Sequence, residues 1–269
     1  MKKNERVCAI TKILTDTPGR LIPYGDFCTL LDASKTSVSE DVAVVKAVLE
    51  NLEMGRVETV AGAAGGVRYL PLLTDAQEKK ILSEIAERLA EADRRIPGGF
   101  LYYSDILSSP YYVERLGRII AGRYLEAGVE HVVTTETKGI SVALESARFL
   151  DVPMTVIRRT NKVTEGTTTS MNYVSGSTNK INTMYLSRRV DLEGRRVLII
   201  DDFMKGGGTA RGMVNLLEEV GAIPVGPCVI VATKTPQEKL VNDYAPLLRI
   251  LDDESIENST RVEICGRTC

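Results

Sequence analysis

Histidine is almost absent: His131 is the single one in 269 residues. A Ser-His-Asp triad or an imidazole-built zinc site needs histidine grouped with a nucleophile or further ligands. His131 stands alone in the apolar run V-E-H-V-V-T, where a structural role is expected, so hydrolytic and zinc chemistry are set aside. Cysteine is sparse and odd in number (Cys8, Cys28, Cys228, Cys265, Cys269), with no C-x-x-C spacing. That usage fits free thiols in a reducing cytoplasm and not a disulfide framework. Cys265 and Cys269 read as part of a frayed tail. No apolar run approaches the length that crosses a bilayer, and Met-Lys-Lys-Asn-Glu is not followed by a signal-peptide core. A cytoplasmic location without membrane contact is therefore expected. An excess of positive charge is missing too, since the formal net charge is −2. Any contact with nucleic acid has to come from a local patch. Internal repeats and low-complexity tracts are absent.

Enough apolar residue remains, 43% of the chain, to bury the cores of two domains. The most informative stretch is Arg196–Gly212, R-V-L-I-I-D-D-F-M-K-G-G-G-T-A-R-G. Four consecutive apolar residues, Val197 to Ile200, predict a strand buried on both faces, as in a parallel sheet. Asp201 and Asp202 follow, then a glycine loop, then Met213, Leu216, Leu217 and Val220 at helical spacing. Glycines let successive backbone N–H groups turn inward, and the helix start adds its free N–H groups and positive dipole end. A phosphate would sit on Lys205, Gly206, Gly207, Gly208 and Thr209. The acidic pair is placed for ribose hydroxyls or a hydrated Mg²⁺. Neither the P-loop nor the dinucleotide fingerprint fits this order of residues.

At the other end, three helical segments (4–16, 24–31 and a third from about Ser37) precede two short strands, 56–60 and 67–70. Phe27, Leu30 and Leu31 are expected inward on the second helix, and Val38, Val42, Val45, Val48, Leu49 and Leu52 on the third. This outline is that of a winged helix-turn-helix. The start of its third helix, Lys35, Thr36, Ser37 and Ser39, would face double-stranded DNA, with Arg56 and Arg68 on the wing. Residues 1–70 hold nine Lys/Arg and nine Asp/Glu, so the unit as a whole carries no attraction for phosphate. Glu40 and Asp41 either complement the helix dipole or oppose phosphate. A linking helix over 74–95 ends at Pro97-Gly98-Gly99, which divides the chain into domains 1–73 and 74–269.

From Gly99 on, helices and strands alternate, the sign of an open, mainly parallel α/β sheet. Ligands in such sheets gather at strand C-terminal ends, which singles out Thr137, Lys138 and Gly139 after the strand 129–134. The polar segment 160–182 shows neither helical nor strand periodicity and is expected to be a functional loop. Arg158, Arg159 and Lys162 at its start would neutralise a pyrophosphate.

The order strand, Asp-Asp, Gly-Gly-Thr, helix resembles the phosphoribosyl-pyrophosphate (PRPP) motif of type I phosphoribosyltransferases. The pairing with a winged helix resembles the purine operon repressors of Gram-positive bacteria. The segments I-P-G-G-F-L-Y-Y-S-D-I-L, T-K-G-I, N-K-V-T-E-G-T-T-T-S-M-N-Y-V-S-G-S and V-L-I-I-D-D-F-M-K-G-G-G-T carry that resemblance. It implies a homodimeric repressor of purine biosynthesis genes that binds operator DNA and is released by PRPP, with Mg²⁺ entering alongside PRPP. It also implies a cleft position for Tyr102, no catalytic residue, and purine nucleotides as candidate competitors. Gly206 stands where relatives carry alanine, and the tail after Asp252 is short. The alternative is a working purine phosphoribosyltransferase with an N-terminal regulatory domain. Lys205 opposes it, since 6-oxopurine transferases commonly place there an aspartate that handles a base proton, which a charged lysine cannot do.

Overall fold

A computed structural model describes all residues except 63–64, 97–99, 175–179, 252–259 and 267–269. The expected helix stop at 97–99, residues 63–64 of the wing, the S-G-S end of the polar loop and most of the short tail lie outside the described residues. The chain divides into two compact units, Met1–Ala76 with Arg148–Asp151, and Gln77–Ala147 with Val152–Cys269.

The first unit runs α1 (Lys3–Asp16), β1 (Ile22–Pro23), α2 (Tyr24–Leu31), α3 (Lys35–Asn51), β2 (Arg56–Val60) and β3 (Gly66–Leu70). The strands form an antiparallel sheet in the order β1-β3-β2. A Cβ on Gly66 would stand 2.3 Å from the Ile22 carbonyl oxygen, so the approach of β1 to β3 requires glycine there. Ile10 and Leu14 of α1, Phe27 and Leu31 of α2, and Val38, Val42, Val45 and Leu49 of α3 close on Val57, Val67 and Tyr69 of the wing. Leu30, Val48 and Leu52, expected inward, are exposed. The buried stripe of α3 is Val38, Asp41, Val42, Val45 and Leu49, and Asp41 within it pairs with Arg6, Nε to Oδ2 2.6 Å. Asp41 therefore does not face outward to act on a ligand.

The second unit continues with α4 (Asp75–Leu89), β4 (Arg95–Ile96), β5 (Phe100–Leu101), α5 (Ser104–Leu107), α6 (Pro110–Arg123), β6 (His131–Thr135), α7 (Ile140–Leu150), β7 (Met154–Ile157), β8 (Thr168–Val174), β9 (Ile181–Ser187), β10 (Arg196–Met204), α8 (Gly208–Glu219), β11 (Ile223–Thr233), β12 (Ala245–Ile250) and β13 (Val262–Ile264). Six strands form the main sheet in the order β13-β12-β11-β10-β6-β7, parallel except for β13 at the edge. The chain moves outward from β6 to β7, then returns to lay β10 on the other side of β6. That reversal opens a crevice beyond the C-terminal ends of β6 and β10, the place where such sheets bind ligands. Val197 to Ile200 are wholly buried, as a strand covered on both faces must be. His131 is buried and its Nε2 lies 2.9 Å from Thr155 Oγ1, which satisfies it structurally.

The polar segment 160–182 is not an aperiodic loop. Residues 168–174 pair antiparallel with 181–187, from Thr168↔Ser187 to Val174↔Ile181. Met171 and Tyr173 turn inward on alternate positions, while Ser170, Asn172 and Val174 stay exposed. Tyr173, Met184 and Leu186 then pack with Val197, Ile199, Met213 and Leu216. A Cβ on Gly212 would stand 2.9 Å from both Met184 Cε and Tyr173 Cβ, so α8 lies close under this hairpin.

Candidate ligand and DNA sites

Strand β10 carries both aspartates past its buried core, and pleating sends Asp201 and Asp202 to opposite faces. Asp201 is 4% exposed. Burial, reinforced by the neighbouring Asp202, raises its pKa well above the usual carboxylate range. Asp202 is half-buried, its N–H donates to Asp201 Oδ1 at 3.1 Å, and its Oδ2 accepts the Tyr103 hydroxyl at 2.7 Å.

The glycine loop follows directly. Gly207 caps α8 with φ 81°, a left-handed value that favours glycine, and its carbonyl accepts the Arg211 N–H at 2.9 Å. Gly206, Gly207 and Gly208 are buried, Thr209 is half-buried and Lys205 is exposed. The loop is held from behind by residues 239–241. The Lys239 ammonium donates to the Lys205 carbonyl, and the Leu240 N–H donates to the Gly206 carbonyl at 2.9 Å. Burial, with Arg249 and Lys205 nearby, lowers the Lys239 pKa to about 8.

Across the crevice, β6 ends in a loop whose Glu136–Thr137 peptide is cis. Thr137 and Lys138 are exposed, whereas Gly139 is buried against the acidic strand. A Cβ there would lie 2.7 Å from Thr134 Oγ1 and 3.5 Å from the Asp202 nitrogen. Glu136 turns inward and accepts the Arg159 N–H at 2.6 Å. The Arg158 guanidinium is shared between Glu136, at 3.4 Å, and Glu165, at 3.2 Å. Arg159 and Lys162 have exposed side chains. Thus the acid pair, the glycine loop and the Thr137–Gly139 loop come together at one strand edge, and Arg158 is already engaged by two carboxylates.

Tyr102 is 47% exposed, and its adjacent residue, Tyr103, reaches Asp202. Sequence reading missed Tyr103, Glu136 and Lys239. The tyrosine doublet was the available signal for the first; the others were ordinary charged residues until the fold placed them.

In the first unit, Ser34 caps α3 by accepting the Ser37 N–H at 3.2 Å. Lys35, Thr36 and Ser39 are exposed at this helix start and Ser37 is half-buried. Arg56 and Arg68 flank one carboxylate, Glu58, at 2.6 and 2.7 Å. The wing's two cations therefore carry a net single charge between them.

A parallel sheet whose central strand ends in Asp-Asp and a glycine-capped helix, beside a second loop with a cis peptide, defines a type I phosphoribosyltransferase fold joined to a winged helix. The description "Phosphoribosyl transferase domain" matches residues 103–264, and "Bacterial purine repressor, N-terminal" matches residues 2–71. The purine biosynthesis transcriptional repressor PurR of Bacillus subtilis is 40% identical over 97% of this chain and 92% of its own length. The purine biosynthesis transcriptional activator PurR of Lactococcus lactis is 42% identical over 93% of this chain and 92% of its own. Among solved structures, an adenine phosphoribosyltransferase from Saccharomyces cerevisiae superposes with a TM-score of 0.55 at 16% identity, covering 62% of this chain and 97% of that one. The chain belongs to the PurR family of purine biosynthesis transcriptional regulators.

Proposed function

We propose that the chain is a transcriptional repressor of purine biosynthesis genes, held on double-stranded operator DNA by its winged helix and released by PRPP. Domain 1–73 reads DNA and domain 74–269 senses the effector. The observation that carries the effector reading is the meeting of the Asp201–Asp202 strand end with the Thr137–Gly139 loop, so close that a Cβ on Gly139 would touch the Asp202 nitrogen at 3.5 Å. Asp202 accepts ribose hydroxyls. The amides of Lys205 to Thr209 and the Thr209 hydroxyl hold the 5′-phosphate at the helix start. Lys138, Arg159 and Lys162 balance the pyrophosphate charge. Among the described residues no three His, Cys, Asp or Glu group as a metal site. Mg²⁺ enters on the pyrophosphate, with one or two carboxylates completing its shell, the usual arrangement for this ion.

The DNA face is the α3 start, where exposed Lys35, Thr36 and Ser39 and the first free N–H groups of a helix point outward. A homodimer matches a two-fold operator, with one winged helix per half-site. Among the described residues no helix is long and apolar enough to cross a membrane. Relatives named repressor and activator are similar to this chain to nearly the same degree, so the sign of regulation is tested directly. In a gel shift on DNA upstream of purine biosynthesis genes, PRPP should release the protein and transcription should rise. Retention of DNA with PRPP-stimulated transcription would make it an activator. The enzymatic alternative is tested by turnover with adenine, guanine, hypoxanthine and xanthine. With Lys205 in the base-handling position, no nucleotide should form, and turnover of about 1 per second or more would establish an enzyme.

A further inference from the structure

Asp202 already has an occupant. The Tyr103 hydroxyl donates to its Oδ2 at 2.7 Å, and the Tyr103 ring lies under the Lys138 ammonium, 4.3 Å from Nζ to the ring centroid. One side chain thereby engages both loops of the crevice. Phe203 stacks on the same ring, with centroids 5.8 Å apart and planes 18° from parallel, and Tyr103 is left 9% exposed. The backbone on either side is clamped. Arg94 donates to Asp105 at 2.8 and 2.9 Å and to the Tyr102 carbonyl at 3.2 Å, and the Tyr102 N–H donates to the Arg94 carbonyl at 2.8 Å.

We propose that Tyr103 is a built-in competitor for the ribose subsite, which a ligand's vicinal diol must displace from Asp202 before both loops can hold that ligand. This rests on the ligand reading given above. A phenol O–H and a ribose O–H are the same kind of donor to the same carboxylate oxygen, so the exchange replaces one bond by its equivalent. The aromatic ring also fills the path between Asp202 and Lys138 that a ribose joined to pyrophosphate would follow. Because Arg94 and Asp105 fix the chain, displacement is a swing of one side chain. The burial that raises the phenol pKa, together with the carboxylates beside it, keeps Tyr103 a donor throughout the physiological range. The consequence is a raised threshold: a diol-bearing ligand binds more weakly than the same loops would otherwise allow. An anion without a diol, such as pyrophosphate, leaves the Tyr103–Asp202 bond intact and meets no such penalty.

The test is calorimetry on the full chain with Mg²⁺, titrating PRPP or inorganic pyrophosphate into wild type, Tyr103→Phe and Tyr103→Leu. The first variant keeps the ring, its stacking and the Lys138 contact; the second removes all three and guards against a ring-specific artefact. PRPP should bind both variants more tightly, by about tenfold or more for the loss of one charge-assisted hydrogen bond to a competitor. Pyrophosphate should bind Tyr103→Phe as it binds wild type. PRPP affinity in Tyr103→Phe that rises less than threefold or falls would overturn the proposal, as would equal tightening for pyrophosphate. Wild type that binds no PRPP would overturn the ligand reading itself, a result separate from wild-type binding that the variants leave unchanged.

Discussion

Replacing Asp202 by alanine removes the group on which the ligand reading turns. Its carboxylate is half-buried and holds the Tyr103 hydroxyl at 2.7 Å. In a complex it would accept two ribose hydroxyls, each charge-assisted bond contributing ~1.5–3 kcal/mol. The free protein loses the Tyr103 bond as well, which offsets one of the two. The net loss is then ~1.5–3 kcal/mol, a rise in Kd of about ten- to hundredfold at 25 °C. Asp201→Asn should cost less, because burial already disfavours charge at that position. Calorimetry with PRPP and Mg²⁺ reads both variants directly, and a thermal melt confirms that they fold. An Asp202→Ala protein whose PRPP affinity stays within twofold of wild type would refute the placement of the ribose on β10.

The other predictions concern the DNA face and the fold. Lys35→Ala should weaken binding to all DNA sequences alike and reduce the salt slope by about one unit, read by anisotropy across a salt series. Affinity and slope both unchanged would mean that α3 does not dock by its N-terminal turn. Arg6→Met strands the wholly buried Asp41, whose Oδ1 already has no partner, and should destabilise the first unit by about 3 kcal/mol in urea unfolding. A loss below about 1 kcal/mol would show that the pair is solvated, as exposed ion pairs are. Lys239 has its pKa lowered to about 8, against about 10.4 when unfolded. The unfolded chain then binds more protons between those values, so wild type should gain stability relative to Lys239→Met as pH rises from about 8 to about 10. A flat difference would remove the burial argument for that ammonium.

Legibility in the sequence followed the kind of signal each element carries. Val197–Ile200 announced a doubly covered strand because four apolar residues in a row have few other uses, and Met213, Leu216 and Leu217 announced α8 through helical spacing. The hairpin β8–β9 escaped notice because threonine, serine and asparagine alternate there with only two inward apolar residues on β8, too few for period two to stand out. Tyr103 escaped notice because its partner Asp202 lies 99 residues away in the chain. Pairings such as Glu58 with Arg56 and Arg68, or Glu136 with Arg158, join residues that sequence reading took as free cations. Asp41 was ambiguous for the same reason, since its partner Arg6 lies on another helix.

The central claim is that one ligand and one DNA site are thermodynamically opposed. Operator affinity measured by anisotropy over a PRPP titration, paired with PRPP affinity measured by calorimetry with and without operator, tests it most directly. Linkage requires PRPP to weaken operator binding by the same factor by which operator weakens PRPP binding. Equal weakening in both directions is the predicted result. Operator affinity that stays constant while calorimetry shows the effector site filled would contradict the account.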